Sequence, residues 1–338
     1  VKPLVSILIP AYNAAPLLAA TIKSALAQTW SRKEIVIVND GSRDATLDVA
    51  RQFASADVKV LTQENRGAAA TRNRLAELAQ GDYLQWLDAD DLLSPGKVAA
   101  QMEALEQGGD PNALASSGWA YFYFRPHKAK FTPTRLWENL TPLEWLHRKW
   151  ENNLHMQTAT WLVSRALTTA AGPWNTRLLG DDDGEYFFRV IRASSGIRFV
   201  PDGKVYYRIS GASRLSYIGR SDKKMEAQLH GMELQIGYLR GMADDVRVRQ
   251  TCVTYLQTWL PNFFPQRMDL VDRMKQLARE LGGEIHDPKI SWKYAGIQKA
   301  FGWAAAQRTA IRYNELKDRV LMSIDRTLFA LEGRKVVL

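Results

Sequence analysis

The first hundred residues switch back and forth between two hydrophobic periods, and that alternation limits the possible folds more than any other feature. Leu4 to Ile9 is a short apolar run stopped by Pro10, as expected of a strand buried on both faces of a parallel sheet. Leu17 to Gln28 then spaces its apolar residues as a helix does. Glu34 to Val38 is a second apolar strand, closed by Asn39-Asp40-Gly41-Ser42. Residues 44–55 read as a helix with Asp44 at its N-cap. Val58 to Thr62 predicts a strand, Ala68 to Ala79 a helix stopped by Gly81, and Asp82 to Leu87 a strand running into Asp88-Ala89-Asp90-Asp91. Pro95 to Glu106 is a further helix. Strands alternating with helices of about 12 residues predict βαβ units and a mostly parallel sheet.

In open α/β sheets, ligands bind in the crevice outside the C-terminal ends of the strands. The polar, glycine-rich and acidic residues fall at those ends. Asn13, Asp40, Asn65 to Gly67 and Asp88 to Asp91 are therefore expected to converge.

The remainder is less regular. Residues 110–215 are mixed and rich in aromatics, among them Trp119, Trp137, Trp145, Trp150, Trp161 and Trp174. From Asp222 onward the pattern is almost wholly helical, broken near Pro261–Pro265, Gly282-Gly283 and Pro288. A domain change is placed near 216–222, dividing an α/β domain of residues 1–218 from a mainly α-helical domain of residues 219–338.

Charge follows the same division. The 338 residues carry 45 Lys and Arg against 36 Asp and Glu, a net charge of +9. Residues 220–338 hold 20 basic and 14 acidic side chains, so most of the excess lies there. A basic excess suits a polyanionic partner or an anionic membrane surface. The single Cys252 excludes an intrachain disulfide and a cysteine-based zinc site. Pro3 to Ile22 is the longest uncharged stretch, but Ser6, Pro10, Asn13, Pro16 and Thr21 make it strand, loop and helix rather than a membrane span. No secretory signal is read at the start of the chain.

Three local patterns could carry chemistry. Asp88 and Asp90, separated by one residue at a strand end, can both reach one divalent cation; oxygen ligands suit Mg²⁺ or Mn²⁺ held together with substrate phosphates. Helix capping by Asp91 and solvated turn residues are the bland alternative. Asp40 could accept from a base or sugar edge while Gly41 permits close approach; equally, the tetrapeptide could be an Asx turn. Leu179-Gly180-Asp181-Asp182-Asp183-Gly184-Glu185 gathers four carboxylates, and like charges in a partly buried site raise one another's pKa, which favours a general base. A solvated acidic loop that caps the next helix is the alternative. Arg66 and Arg72 lie near the crevice edge and could touch phosphate, though a salt bridge suits Arg72 as well. His155, between Leu154 and Met156, reads as a core histidine. Walker, dinucleotide-fingerprint and nucleophile-elbow motifs are missing from the sequence.

Taken in order, these segments resemble the family 2 inverting glycosyltransferases with the GT-A nucleotide-sugar-binding fold. The resemblance covers about residues 4–215. Val5-Ser6-Ile7-Leu8-Ile9-Pro10-Ala11-Tyr12-Asn13 is similar to the family's first strand, and Glu34 to Ser42 to its second strand and nucleotide turn. Asn65-Arg66-Gly67, Thr71-Arg72-Asn73 and Gly81-Asp82-Tyr83 follow, then Asp88-Ala89-Asp90 as the Asp-x-Asp motif and Asp182-Asp183 with Arg189 as the base segment.

The resemblance implies roles. Pro10, Tyr12 and Asp40 cradle the nucleobase, with Asn13, Arg66, Arg72, Asp88, Ala89 and Asp182 also on the nucleotide sugar. Asp90, with Asp88, binds Mn²⁺ or Mg²⁺, and Asp183 is the catalytic base. Many relatives carry a histidine where Ser210 stands, which leaves a third protein ligand open. Arg208, Ser213 and Arg214 could meet the diphosphate in a closing loop.

The implied activity is inverting transfer of a sugar, from a nucleotide diphosphate donor (UDP-linked by preference), to an acceptor hydroxyl in surface-polysaccharide or lipid-linked glycan synthesis. A catalytically inactive nucleotide-sugar-binding protein is the alternative. A nucleotidyltransferase would need a glycine-rich basic loop after the first strand, and Ala11 to Pro16 offers neither. No nucleic-acid partner is expected. The expected location is cytoplasmic, with residues 219–338 available for peripheral contact at the inner face of the membrane, for dimerisation, or as a packed helical cap.

Overall fold

The structure is a computed structural model that describes residues 2–210 and 221–333. It opens with β1 (Val5–Ala11), α1 (Ala15–Leu26), β2 (Lys33–Asp40), α2 (Thr46–Arg51), β3 (Val58–Gln63), α3 (Ala68–Leu78) and β4 (Tyr83–Trp86). The four strands run parallel in the order β3-β2-β1-β4. Strand order therefore reverses between β1 and β4, where a crevice opens at the C-terminal edge. The unbroken apolar runs are explained by cover on both faces. Ile7, Ile9 and Ala11 join one core cluster with Leu18 and Ile22 of α1, while Leu8 joins Val36 and Val38 in another.

The expected helix over 44–55 is shorter, at Thr46–Arg51. Asp44 turns the chain before the helix begins: its Oδ1 accepts from the Thr46 amide at 3.0 Å and its Oδ2 from the Ala15 amide at 3.2 Å. Local side-chain bonding of this kind competes with helix.

Next come β5 (Leu92–Leu93), α4 (Lys97–Gly108), β6 (Ala113–Phe122), α5 (Pro142–Glu151), β7 (Val163–Ser164), α6 (Arg165–Ala171), α7 (Asp182–Ala193) and β8 (Gly196–Arg208). β7 pairs antiparallel with β4 at the end of the main sheet. A second sheet has the order β5-β8-β6, with β6 and β8 parallel and a register shift at Ser117/Gly118.

The aromatic segment builds the core behind the sheet. Trp174 stacks on Tyr186 at 4.0 Å, and Trp86 meets Trp174 edge-on at 5.2 Å. Each ring buries about 150–250 Å², on the order of 4–6 kcal/mol before the entropy of ordering.

Last come α8 (Asp222–Met242), α9 (Val246–Trp259), α10 (Met268–Glu280), α11 (Ala295–Phe301) and α12 (Trp303–Leu331). α8, α9 and α10 share one hydrophobic cluster with the sheet, and Trp150 of α5 stacks on Tyr255 of α9 at 4.0 Å. α12 is different: Tyr313, Leu316, Val320, Ile324 and Leu331 are exposed. A mostly parallel sheet flanked by helices, followed by a helical region, is as the sequence predicts. Among the described residues, no helix is long and apolar enough to cross a membrane.

Candidate active site

A cleft of about 1170 Å³ opens at the C-terminal edge of β1, β2 and β4. Pro10 and Tyr12 lie at its mouth, and the Tyr12 ring is 48% exposed, a flat surface for a flat ligand. Asn13 is a connector. It adopts φ +48°, its Oδ1 accepts from the Arg43 amide at 2.8 Å, and its own amide donates to Ser42 Oγ at 3.0 Å.

Asp40 ends β2 and is 3% exposed. Its Oδ1 accepts from Gln63 Nε2 at 2.8 Å and from the Arg66 amide at 2.9 Å, and its Oδ2 accepts from the Gly67 amide at 2.9 Å. A carboxylate has about four lone-pair sites, so one remains for a ligand. The carboxylate does not close an Asx turn within its own tetrapeptide; it fastens the Gln63–Gly67 segment and lines the cleft. Gly41 makes the turn possible, since at φ +66° a Cβ would come within 2.7 Å of the Asn65 backbone nitrogen. The Arg66 side chain is exposed and does not line the cleft; only its amide contributes.

Arg72 ties the acidic segments together from 110 residues away in sequence. Its Nη2 donates to Asp88 Oδ1 at 2.9 Å and its Nη1 to Asp182 Oδ2 at 2.8 Å, with the guanidinium 4.6 Å over Trp174. Burial works against this cation, but Asp88, Asp182 and Asp183 outweigh it and hold its pKa above the ordinary value. The salt bridge weighed in the sequence is formed, and it stands inside the cleft.

Asp88, Ala89 and Asp90 line the cleft, and the Ala89 carbonyl accepts from Thr21 Oγ1 at 2.9 Å. Burial and the neighbouring Asp88 raise the Asp90 pKa, against a hydrogen bond from Ser210 and the Arg208 charge. Asp91 does not cap α4. It is fully buried and accepts from Gln157 Nε2 at 2.5 Å and from the Arg208 amide at 2.8 Å. Arg208 lines the cleft and donates from Nε and Nη1 to the carbonyls of Asp90 and Tyr123. Ser213 and Arg214 lie outside the described residues.

The acidic loop enters from the opposite wall. Asp183 Oδ2 accepts from Thr158 Oγ1 at 3.2 Å, and its Oδ1 accepts from the Gly184 amide at 2.9 Å. Desolvation, then Asp183, pushes Asp181 up to about 7, against Lys149 and Gln235. Desolvation pushes Asp182 up to about 6, with Arg72 opposing. So carboxylates from β4 and from the start of α7 face one cleft and crowd one another.

A hard cation fits this donor set. Among the described residues, no three His, Cys, Asp or Glu side chains gather at metal-binding distance. Mg²⁺ and Mn²⁺ sites commonly use one or two carboxylates and take further oxygens from phosphate. Asp88 and Asp90 offer those two, both in the cleft wall.

Four lining residues escape a local reading of the sequence. His155 is exposed in the cleft wall rather than buried in the core, and stacks 6.0 Å from Tyr207. Lys149 lines the same wall. Gln228 and Gln235 reach the cleft from α8. The one available signal was their spacing: seven residues apart among Met225, Leu229, Met232 and Ile236, they are polar residues on a buried helix face.

Comparison with known proteins identifies the segment that carries this edge. Residues 6–167 match the model of glycosyl transferase family 2. The matched segment holds Asp40, Arg72, Asp88 and Asp90; Asp183 follows it. An uncharacterized glycosyltransferase of Rickettsia typhi is 30% identical over 201 residues, covering 57% of this chain and 60% of the relative. The uncharacterized glycosyltransferase EpsJ of Bacillus subtilis is 29% identical over 216 residues, covering 61% of each chain. The putative teichuronic acid biosynthesis glycosyltransferase TuaG of Bacillus subtilis is 41% identical over 105 residues, which is 30% of this chain and 42% of the relative. The chain thus spans about three fifths or less of these relatives. Among solved structures, S. aureus TarS 1–349 in complex with UDP-GlcNAc matches with a TM-score of 0.66 at 15% identity, covering 81% of both chains. Its complex with UDP matches with 0.62. The fold is the GT-A nucleotide-sugar-binding fold expected from the sequence.

Proposed function

We propose that the protein transfers a sugar from a nucleotide diphosphate donor, UDP-linked by preference, to an acceptor hydroxyl in surface-polysaccharide or lipid-linked glycan synthesis, with inversion. The observation that carries this reading is the meeting of Asp40, Asp88, Asp90 and Asp183 around one cleft within the GT-A fold. The UDP and UDP-GlcNAc complexes of TarS support the donor class, and the name of TuaG supports the pathway class.

In this reading residues 1–218 form the catalytic domain. Pro10 and Tyr12 hold the base, which donates to the free lone pair of Asp40. Asp88 and Asp90 would hold Mn²⁺ or Mg²⁺, which supplies charge neutralisation at the diphosphate. Arg72 fixes Asp88 and Asp182 relative to each other. Asp183 takes the proton from the acceptor hydroxyl as that oxygen attacks the anomeric carbon from the face opposite the nucleotide. One carboxylate suffices, whereas a retaining double displacement needs a placed nucleophile as well. Nucleotide release from UDP- and GDP-sugars, with Mn²⁺ or Mg²⁺ and mixed glycan acceptors, tests the reading. Turnover with an inverted product is expected. A catalytically inactive nucleotide-sugar binder is the second reading, favoured by the lack of a third ligand among the described residues. It predicts nucleotide binding without release.

α12 suggests where the enzyme works. Its acidic residues turn toward the body: Asp318 accepts from Tyr123 Oη at 3.4 Å, and Asp325 and Glu332 from Arg125 at 2.7 and 3.0 Å. Leu316, Val320 and Ile324 face solvent, as do Arg312, Lys317 and Arg319. An apolar stripe flanked by bases fits an anionic bilayer. Sedimentation with phosphatidylglycerol vesicles is expected at low salt, and is expected to disappear at high salt, with phosphatidylcholine, and on Leu316→Glu with Ile324→Glu. A concentration-dependent dimer with no vesicle binding would overturn this.

A further inference from the structure

α8 turns two glutamines inward, and only one has a partner. Gln235 Nε2 donates to Asp181 Oδ2 at 2.9 Å. Gln228 is 2% exposed, and neither its Nε2 nor its Oε1 has a hydrogen-bond partner among the described residues. It nevertheless lines the cleft, in the arm that leads from Asp181 toward α9. Rings in contact wall that arm. Phe188 lies 5.7 Å from Trp150, Trp150 stacks on Tyr255 at 4.0 Å, and Tyr255 meets Trp259 edge-on at 6.4 Å.

A buried amide with no partner is a liability to folding, because both of its polar atoms give up water and receive nothing. Leucine, of similar size, would suit an apolar wall better. We propose that this arm is a carbohydrate subsite, in which Gln228 reads hydroxyls on a pyranose of the acceptor. Neighbouring hydroxyls each donate and accept, so one pair can satisfy Oε1 and Nε2 together. The C–H face of a pyranose suits the aromatic wall. A lipid chain would fill the arm and leave the amide unpaired, and a phosphate, which has only acceptors to offer, would repel Oε1. Asp181 and Asp183 line the same cleft as Gln228, so in this reading a sugar bound beside Gln228 belongs to the acceptor side of the cleft. The inference rests on the glycosyl-transfer reading for the name of its ligand, but not for its test.

Saturation-transfer NMR with methyl glucoside, galactoside and mannoside would be recorded on wild type and Gln228→Leu, with and without UDP. At least one glycoside is expected to bind wild type at millimolar concentration, to persist with UDP present, and to weaken tenfold or more in Gln228→Leu. The variant's melting midpoint is expected to equal or exceed that of wild type. Binding of no glycoside, equal binding to both proteins, displacement by UDP, or a lowered midpoint would each overturn the subsite. Failure of the glycosyl-transfer reading would show separately, as no nucleotide release from wild type.

Discussion

Asp183→Asn is expected to lower sugar transfer by about 10²- to 10⁴-fold, the range for loss of a positioned general base, while nucleotide affinity stays within twofold. The substitution keeps the shape of the side chain and one carbonyl oxygen, so the Gly184 amide retains its acceptor. It removes the only group to which the acceptor proton is assigned. Asp181 and Asp182 do not replace it. Asp181 is engaged by Gln235, and Asp182 by Arg72. Steady-state transfer alongside calorimetric nucleotide binding checks this, and full activity in the variant would remove Asp183 from the mechanism.

Arg72→Met is expected to destabilise the fold by about 3–5 kcal/mol, the cost of removing one partner from a buried ion pair. The side chain is nearly as long, so packing against Trp174 is largely kept and the loss is mainly electrostatic. Asp182, already raised to about 6 with Arg72 in place, rises further without it. The sign follows from linkage. A carboxyl whose folded pKa exceeds its unfolded value makes folding less favourable as pH rises through that window. The deficit is therefore largest near pH 8 and shrinks toward pH 5. Thermal melts at both pH values check it, and a pH-independent difference would mean that packing, not charge, had been lost.

The sheet was legible because its cause is local. Unbroken apolar runs such as Ile7 to Ile9 need cover on both sides, and the turn residues after them mark the crevice edge. The Asp88-Ala89-Asp90 and Asp181–Asp183 clusters could be seen for the same reason. Their joining through Arg72 could not, since a contact spanning 110 residues leaves no trace in spacing. Nor could the role of α8, where Gln228 and Gln235 look like two polar residues on a helix. His155 misled, because apolar neighbours in sequence do not tell a core from the wall of a cleft.

The Asp40 carboxylate has a further consequence. One small group fastens the chain to itself and also faces whatever enters the cleft. The loop at Asn65–Gly67 is therefore shaped before any ligand arrives, so a ligand that meets it there would spend little on ordering it. But the two duties cannot be dissected by replacing the residue: an Asp40 variant that fails to bind would not distinguish a lost contact from a collapsed loop. A probe of base selection must alter the ligand and leave the protein untouched.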